Sequence, residues 1–156
     1  MPSPEIWLRP DIQAQSQMMI QSFKRLVGRD LISATGDAAQ DAESLFKAPF
    51  ALLSHGTEAD PVLNYGNQIA LDLWEMDFAE FTRMPSRLTA EPMLREERQR
   101  LMELAARKGF IDDYAGIRIS ASGKRFRISN VILWSVTNED GLRLGQAAVF
   151  DMWDHV

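Results

Sequence analysis

Residues 109–119 read GFIDDYAGIRI, residues 125–136 read RFRISNVILWSV, and residues 142–152 read LRLGQAAVFDM. In the second stretch apolar side chains recur at every other position, which is the period of a β-strand with one buried face. The residues predicted to share that face are Phe126, Ile128, Ile132, Trp134 and Val136. Short polar turns separate the stretches. We therefore predict that the chain ends in three consecutive antiparallel strands.

The last turn predicts how the final two strands pair. A three-residue loop, Glu139-Asp140-Gly141, with Gly141 in the left-handed conformation would place Asn138 opposite Leu142. The pairs predicted further along are Trp134–Gln146, Ile132–Ala148, Asn130–Phe150 and Ile128–Met152. Two amides, Asn130 and Gln146, then lie on an otherwise apolar face. They either satisfy nearby backbone groups or act as polar anchors in an apolar ligand pocket.

Composition narrows the class of protein. The chain has 156 residues, 46% of them apolar and 25% charged, with a net charge of −5 and no cysteine. These values are typical of one globular domain, and they predict binding neither to nucleic acid nor to an anionic membrane. The lack of cysteine excludes disulfides, thiolate metal sites and thiol nucleophiles. No secretory signal pattern and no apolar run of ~20 residues are present, so we expect a cytoplasmic protein.

The N-terminal third is predicted to be helical. An apolar stripe predicts a helix over residues 11–27 that stops at Gly28, and Asp37 is a suitable N-cap for a second helix ending at Phe46. We therefore divide the chain into a helical extension, residues 1–46, and a main domain, residues 47–156. The apolar stripes need a partner surface, which is either the main domain or a second copy of the chain.

The main domain begins with two short predicted strands, residues 49–55 and 62–65. Asn67 can cap a helix over residues 68–76, and residues 77–92 are interrupted by prolines. A long helix is predicted from Met93 to Lys108, with Pro92 and Gly109 at its ends. The chain is thus predicted to contain two strands, then helices, then three antiparallel C-terminal strands. This order predicts an α+β fold.

Several stretches resemble the MEKHLA domain. They are Pro49-Phe50, SHGTEADPVLNYGN at 54–67, SRLTAEP at 86–92, GFIDDYAGIRIS at 109–120, SGKRFRI at 122–128 and GQAAVF at 145–150. The family is PAS-related, and it occurs alone in bacteria and at the C-terminus of class III homeodomain–leucine-zipper transcription factors in plants. The resemblance implies a PAS-like antiparallel sheet with helices on one face. It also implies a sensory or regulatory module, with no catalytic residues to carry over.

Catalytic chemistry has few candidates in the sequence. The histidines are His55 and the penultimate His155. Asp112 and Asp113 are adjacent in a predicted strand, so their side chains point to opposite faces and cannot form a carboxylate pair. Flavin–thiol photochemistry needs a cysteine, and haem ligation from the long helix needs a histidine there. The sequence is compatible with non-covalent flavin binding but has no feature that favours it, so no particular cofactor is predicted.

The candidate ligand-binding residues follow from strand phase and are Trp74, Asn130, Trp134, Gln146 and Phe150. Plain core packing, without any ligand, also explains the same aromatic residues. Our first hypothesis is a non-catalytic PAS-like sensory domain that binds a small, largely apolar ligand. It would signal through a homodimer or a protein partner. The alternative is a ligand-free interaction and homodimerisation module.

The alternative hypothesis needs an exposed interface. The N-terminal helices and the outer face of the sheet are the candidates for it. The outer-face residues are predicted to be Val131, Leu133 and Val149 among Arg125, Arg127 and Arg143. A third hypothesis is a small α+β enzyme that uses His55 with an acidic neighbour.

Overall fold

A computed structural model of the chain describes residues 5–91 and 95–156. Five α-helices lie in the described ranges: α1 Pro10–Val27, α2 Ala38–Phe46, α3 Gln68–Trp74, α4 Phe78–Phe81 and α5 Arg95–Lys108. Short 3-10 turns span Ile6–Leu8 and Ser86–Thr89. The predicted helices are confirmed, although the predicted start of the long helix at Met93 lies outside the described residues.

The strands form one antiparallel sheet. They are β1 Ala51–His55, β2 Leu63–Gly66, β3 Phe110–Ile119, β4 Arg125–Thr137, β5 Arg143–Phe150 and β6 Met152–His155. Their order is β2-β1-β5-β4-β3, and β6 pairs with the first part of β4 beyond the end of β5. The α+β class is confirmed. The short strand β6 was not predicted, because the last predicted strand ran unbroken to Met152.

Local capping explains where the helices begin and end. Gly28 ends α1 with φ 87°, a left-handed conformation that glycine adopts without steric cost. The Asp37 carboxylate accepts hydrogen bonds from the N–H groups of Ala39 and Gln40 at the start of α2. Asn67 caps α3, and its Oδ1 also accepts from the buried Leu52 N–H at 3.0 Å. Asn67 therefore ties α3 to β1.

The predicted pairing of the last two strands is wrong by one residue. The loop itself is as predicted: Asn138 N–H donates to Leu142 O at 3.0 Å, and Gly141 has φ 80°. Thr137 then pairs with Arg143, but Val136 pairs with Gly145, so Leu144 is an extra residue. Beyond this bulge the pairs are Ser135–Gln146, Trp134–Ala147, Leu133–Ala148 and Ile132–Val149. Trp134 and Gln146 therefore lie on opposite faces of the sheet.

The predicted common face of β4 is also wrong. Asn130 has φ 55° and lies at a shift in the β3–β4 pairing, and Asp113 in β3 has φ 57° at a second shift. An extra residue in a strand reverses the side-chain phase beyond it. Phe126 and Ile128 therefore share a face with Val131 and Leu133. They do not share it with Ile132, Trp134 and Val136.

Helices cover both faces of the sheet. Helix α1 packs on the Trp134 face, where the Phe23 and Trp134 rings lie 4.9 Å apart at 77° and Trp134 Nε1 donates to Ser22 Oγ at 3.1 Å. Helices α3 and α5 cover the opposite face. The predicted exposure of Val131, Leu133 and Val149 is therefore wrong, because all three are buried. The partner surface of α1 is the sheet of the same chain.

Candidate functional site

A small cavity lies between the sheet and helices α3 and α5. Its volume, taken as the space open to the centre of a water-sized sphere, is about 50 Å³. Since one water needs roughly 10–15 Å³ on this measure, the cavity has room for about four water-sized groups. Apolar side chains form most of its wall: Leu53, Leu63, Trp74, Leu101, Ile128, Val131, Leu133, Ala148 and Phe150. The cavity suits a compact, largely apolar molecule.

The polar groups in the cavity wall are cationic or neutral. They are contributed by Ser54, His55, Ser86, Thr89, Arg98, Tyr114, Arg118 and Gln146. Among the described residues, no aspartate or glutamate lines this cavity. Arg98 and Arg118, in a wall whose described lining residues include no carboxylate, give the cavity a positive electrostatic character.

His55 sits at the end of β1, directly opposite Gln146 on β5. It is 6% exposed, and its Nδ1 lies 2.8 Å from the Gly56 carbonyl oxygen. A carbonyl only accepts, so Nδ1 carries the proton. Burial lowers the pKa of His55 below its ordinary value, and the Gly56 hydrogen bond partly opposes this shift. The positive charges of Arg98 and Arg143 lower the pKa further. The imidazole is therefore neutral at pH 7.

Close backbone packing positions this histidine. A Cβ built on Gly145 would lie 2.1 Å from the carbonyl oxygen of His55, so only glycine fits beside β1 at that point. Gly145 follows the extra residue Leu144 of the β5 bulge. The bulge and the glycine together bring β1 against β5, which sets the position of His55 in the cavity wall.

Arg118 and Tyr114 form a second polar pair, on β3. Arg118 is 7% exposed, and it donates to the Ile117 carbonyl at 2.9 Å and to the Tyr114 hydroxyl at 3.2 Å. Its guanidinium carbon lies 5.6 Å from the centre of the Tyr114 ring. A Cβ on Gly116 would lie 2.5 Å from the Tyr114 hydroxyl and 3.0 Å from Arg118 Nη1. Gly116 therefore leaves the space in which the two side chains meet.

Trp74, at the end of α3, is the central aromatic residue of the site. Its ring contacts Phe81, Phe126 and Phe150 with centroid distances of 6.0, 5.1 and 6.4 Å. It is 1% exposed, and its indole Nε1 has no hydrogen-bond partner among the described residues. A buried N–H without an acceptor is costly, so an acceptor inside the cavity would be stabilised there.

The residue after Trp74 connects α3 to the β3–β4 turn. Glu75 has φ 62°, and its carboxylate accepts from the Ser120 hydroxyl and from the Ser122 hydroxyl at 2.5 Å. The Lys124 ammonium lies 3.8 Å from the same carboxylate. The serine hydroxyls, followed by Lys124, lower the pKa of Glu75 to about 2. This network links one wall of the cavity to a surface turn.

The structure brings together three of the five predicted ligand-binding residues. Trp74, Gln146 and Phe150 line the cavity. Trp134 lies on the opposite face against α1, and Asn130 is exposed beside an outer groove near Asp151. The phase reversal at Asn130 and the bulge at Leu144 separate these two from the others.

Arg118 and Arg98 are cavity residues that sequence reasoning did not single out. The signal for Arg118 was the spacing of Tyr114, Gly116 and Arg118, which places all three on one face of a strand. Arg98, on helix α5, donates to the buried Ser86 hydroxyl.

Other candidate chemistry is not assembled in the described part of the chain. The hydrogen-bond partner of His55 Nδ1 is a backbone carbonyl and not a carboxylate. Asp112 and Asp113 are both exposed. Among residues 5–91 and 95–156, no three His, Cys, Asp or Glu side chains cluster as metal ligands would, and no helix has the length and apolarity to cross a bilayer.

A family model described as the MEKHLA domain matches residues 13–155. The chain belongs to the MEKHLA domain family. The resemblance expected from the sequence is thus confirmed, and the match of this MEKHLA chain includes most of helix α1 and all of α2. No curated protein matches it significantly.

Solved structures similar to this MEKHLA protein are PAS and light-oxygen-voltage domains. A PAS domain from Colwellia psychrerythraea has 12% identity and a TM-score of 0.64, covering 75% of this chain and 94% of that one. A flavin-analogue light-oxygen-voltage domain has 15% identity and a TM-score of 0.55, covering 74% and 83%. The PAS domain of a LuxR-family regulator from Burkholderia thailandensis, in complex with ethanol, has 16% identity and a TM-score of 0.53, covering 72% and 94%. The fold is therefore PAS-like.

Proposed function

We propose that this MEKHLA protein is a non-catalytic sensory or regulatory domain that binds a small, largely apolar ligand in the cavity. The occupied state would signal through contacts with a second copy of the chain or with a partner protein. The observation that carries the proposal is an apolar cavity whose wall includes a buried indole N–H without a partner among the described residues. The cytoplasm is the proposed location, since a cysteine-free domain is compatible with a reducing compartment.

The volume limits the ligand to a few heavy atoms. A cavity of about 50 Å³ is far smaller than the pockets of several hundred Å³ that hold drug-sized ligands. The ethanol complex of the Burkholderia PAS domain supports the idea that a PAS fold can hold a molecule of this size. A large cofactor such as flavin would require the walls to move apart.

One observation favours the alternative of a ligand-free interaction module. The four-ring cluster around Trp74 fills much of the space between α3 and the sheet. In this alternative the cavity is a packing defect, and function resides on the outer surfaces. The predicted interface on the sheet is no longer available, because helices cover both faces.

Filling the cavity separates the two functions. Ala148 lines it, so Ala148→Leu should remove the ligand mass from protein purified from its own host and measured by native mass spectrometry. The melting temperature should not fall, because the added carbons occupy existing space. Ala14→Leu on the exposed face of α1 is the matched control and should keep the bound mass.

A different result would reject ligand binding in the cavity. If the wild-type protein carries no extra mass and Ala148→Leu lowers the free energy of unfolding by about 1–3 kcal/mol, the core is filled and overpacked. The ligand-binding function would then be rejected in favour of the interaction module.

A further inference from the structure

Arg118 is a buried cation whose described partners are neutral. At 7% exposure it is among the charged residues that proteins rarely bury without a counter-ion. Its donors reach a backbone carbonyl and a tyrosine hydroxyl. Within residues 5–91 and 95–156, no carboxylate oxygen lies within 4 Å of its guanidinium. Among the described residues, no ion pair therefore offsets the free energy lost on burying this charge.

The position of Arg118 makes it relevant to the cavity. Its side chain is part of the wall, together with Tyr114, Arg98 and the indole of Trp74. Tyr114 accepts a hydrogen bond from Arg118, so its own hydroxyl hydrogen is available to a second acceptor. The Trp74 N–H is a further donor without a partner among the described residues. These groups together favour an acceptor that carries negative charge.

We propose that the ligand of the cavity is a small organic monoanion, a carboxylate with a short apolar chain. The carboxylate would bind the guanidinium of Arg118, whose planar fork matches two carboxylate oxygens. The chain would lie against Leu63, Val131 and Leu133. This inference rests on the proposed ligand-binding function and names the chemical class of that ligand.

Size and polarity select this class over other anions. Room for about four water-sized groups fits a carboxylate with one or two further carbons. The predominantly apolar wall would desolvate a doubly charged phosphate or sulfate at a cost that one buried guanidinium does not offset. Neutral alcohols would fill the space but leave the charge of Arg118 unpaired.

The test compares carboxylates with alcohols of the same chain length. Binding of acetate, propionate and butyrate, and of ethanol, propanol and butanol, is measured by calorimetry on the wild-type protein, with inorganic phosphate and sulfate alongside. At least one carboxylate is expected to bind about tenfold or more tightly than its alcohol, since hydrogen bonds to charged groups are stronger than neutral ones. The wild-type panel does not depend on the folding of any variant.

Two variants test whether Arg118 causes the preference for carboxylates over alcohols. Arg118→Gln should lose the preference for carboxylate, whereas Arg127→Gln, at an exposed arginine of β4, should keep it. A preference that survives in a folded Arg118→Gln variant would overturn the role of Arg118. Circular dichroism establishes whether that variant folds, and if it does not, the wild-type panel decides.

The remaining outcomes distinguish this inference from the proposed function. Equal binding of alcohols and carboxylates would overturn the anion and leave the ligand-binding function standing. Tighter binding of phosphate or sulfate would overturn the monocarboxylate class. If neither alcohols, carboxylates nor inorganic anions bind, and native mass spectrometry finds no bound molecule, both the inference and the proposed function fail.

Discussion

At the scale of single residues, the site depends on polar groups kept in an apolar wall. His55 is neutral because burial penalises its charged form, and the Gly56 carbonyl fixes the proton on Nδ1. Glu75 shows the opposite behaviour, because two serine hydroxyls and a lysine stabilise its charged form. Both residues stand where a helix or strand ends, next to the cavity wall.

The first prediction concerns the titration of His55. Its folded pKa is lowered, so the unfolded chain binds the proton more tightly. The stabilising contribution is therefore present above the unfolded value, about 6.5, and is lost as the pH falls from there through the folded pKa. Because Gln146 raises this pKa, Gln146→Leu should lower it further. NMR titration of the His55 imidazole in the wild-type protein and the variant measures this.

An unchanged His55 titration in Gln146→Leu would contradict the contact across β1 and β5. Should His55 titrate above 6.5 in the wild-type protein, the imidazole would be charged and solvated instead of buried and neutral.

The second prediction concerns Glu75 and acid. Its pKa falls from 4.5 unfolded to about 2 folded, so its contribution to stability is complete above about pH 4.5 and is lost as the pH falls towards 2. Glu75→Gln removes this titration while keeping a side chain of the same length. The difference in melting temperature between wild type and variant should shrink steadily from pH 5 to pH 2. A constant difference over that range would show that the carboxylate is not bonded to the turn.

At the scale of elements, β4 is the strand that organises the sheet. It pairs with β3 along one edge, and with β5 and then β6 along the other. The left-handed residue Asn130 lies where the β4 side-chain phase reverses and where β5 gives way to β6. This reversal allows the first part of β4 to contact Trp74 while its last part places Trp134 against α1.

The third prediction tests that reversal. Asn130→Gly should leave the free energy of unfolding within about 1 kcal/mol of wild type, because glycine accepts φ 55° freely. Asn130→Val should lower it by about 1–2 kcal/mol, since a β-branched side chain is strained in the left-handed region. Urea denaturation of both variants measures the difference. Equal stability of the glycine and valine variants would show that Asn130 is an ordinary strand residue.

At the scale of the whole molecule, the N-terminal helices are a third layer of the fold. Helix α1 buries Ile12, Met19 and Phe23, and its Ser22 accepts the hydrogen bond of the Trp134 indole. Without α1, Trp134 and Val136 would be exposed to water. The division proposed at residue 46 thus separates segments that share one core.

The fourth prediction follows from that shared core. A chain that starts at residue 47 should fail to fold, because it exposes the α1-facing side of the sheet to water. The expected result is loss of dispersed amide signals in a proton–nitrogen NMR spectrum, together with aggregation. The matched control starts at residue 10, which keeps α1 and should retain the dispersed spectrum. A soluble, folded 47–156 fragment would contradict the shared core.

Much of the fold was determined by local sequence. Helix ends follow from Gly28, Asp37 and Asn67, and the last turn follows from Gly141, because capping and left-handed glycine act within a few residues.

Only the tertiary structure decided the strand register and which residues share the cavity. Apolar alternation selects a register when one face of a sheet meets water. Here helices cover both faces, so a slip of one residue exchanges one buried side for another. The apolar pattern therefore does not reveal the bulges at Asn130 and Leu144. These bulges separate Trp134 from Gln146. Arg118 likewise became recognisable as a site residue only when the fold buried it without a described counter-ion.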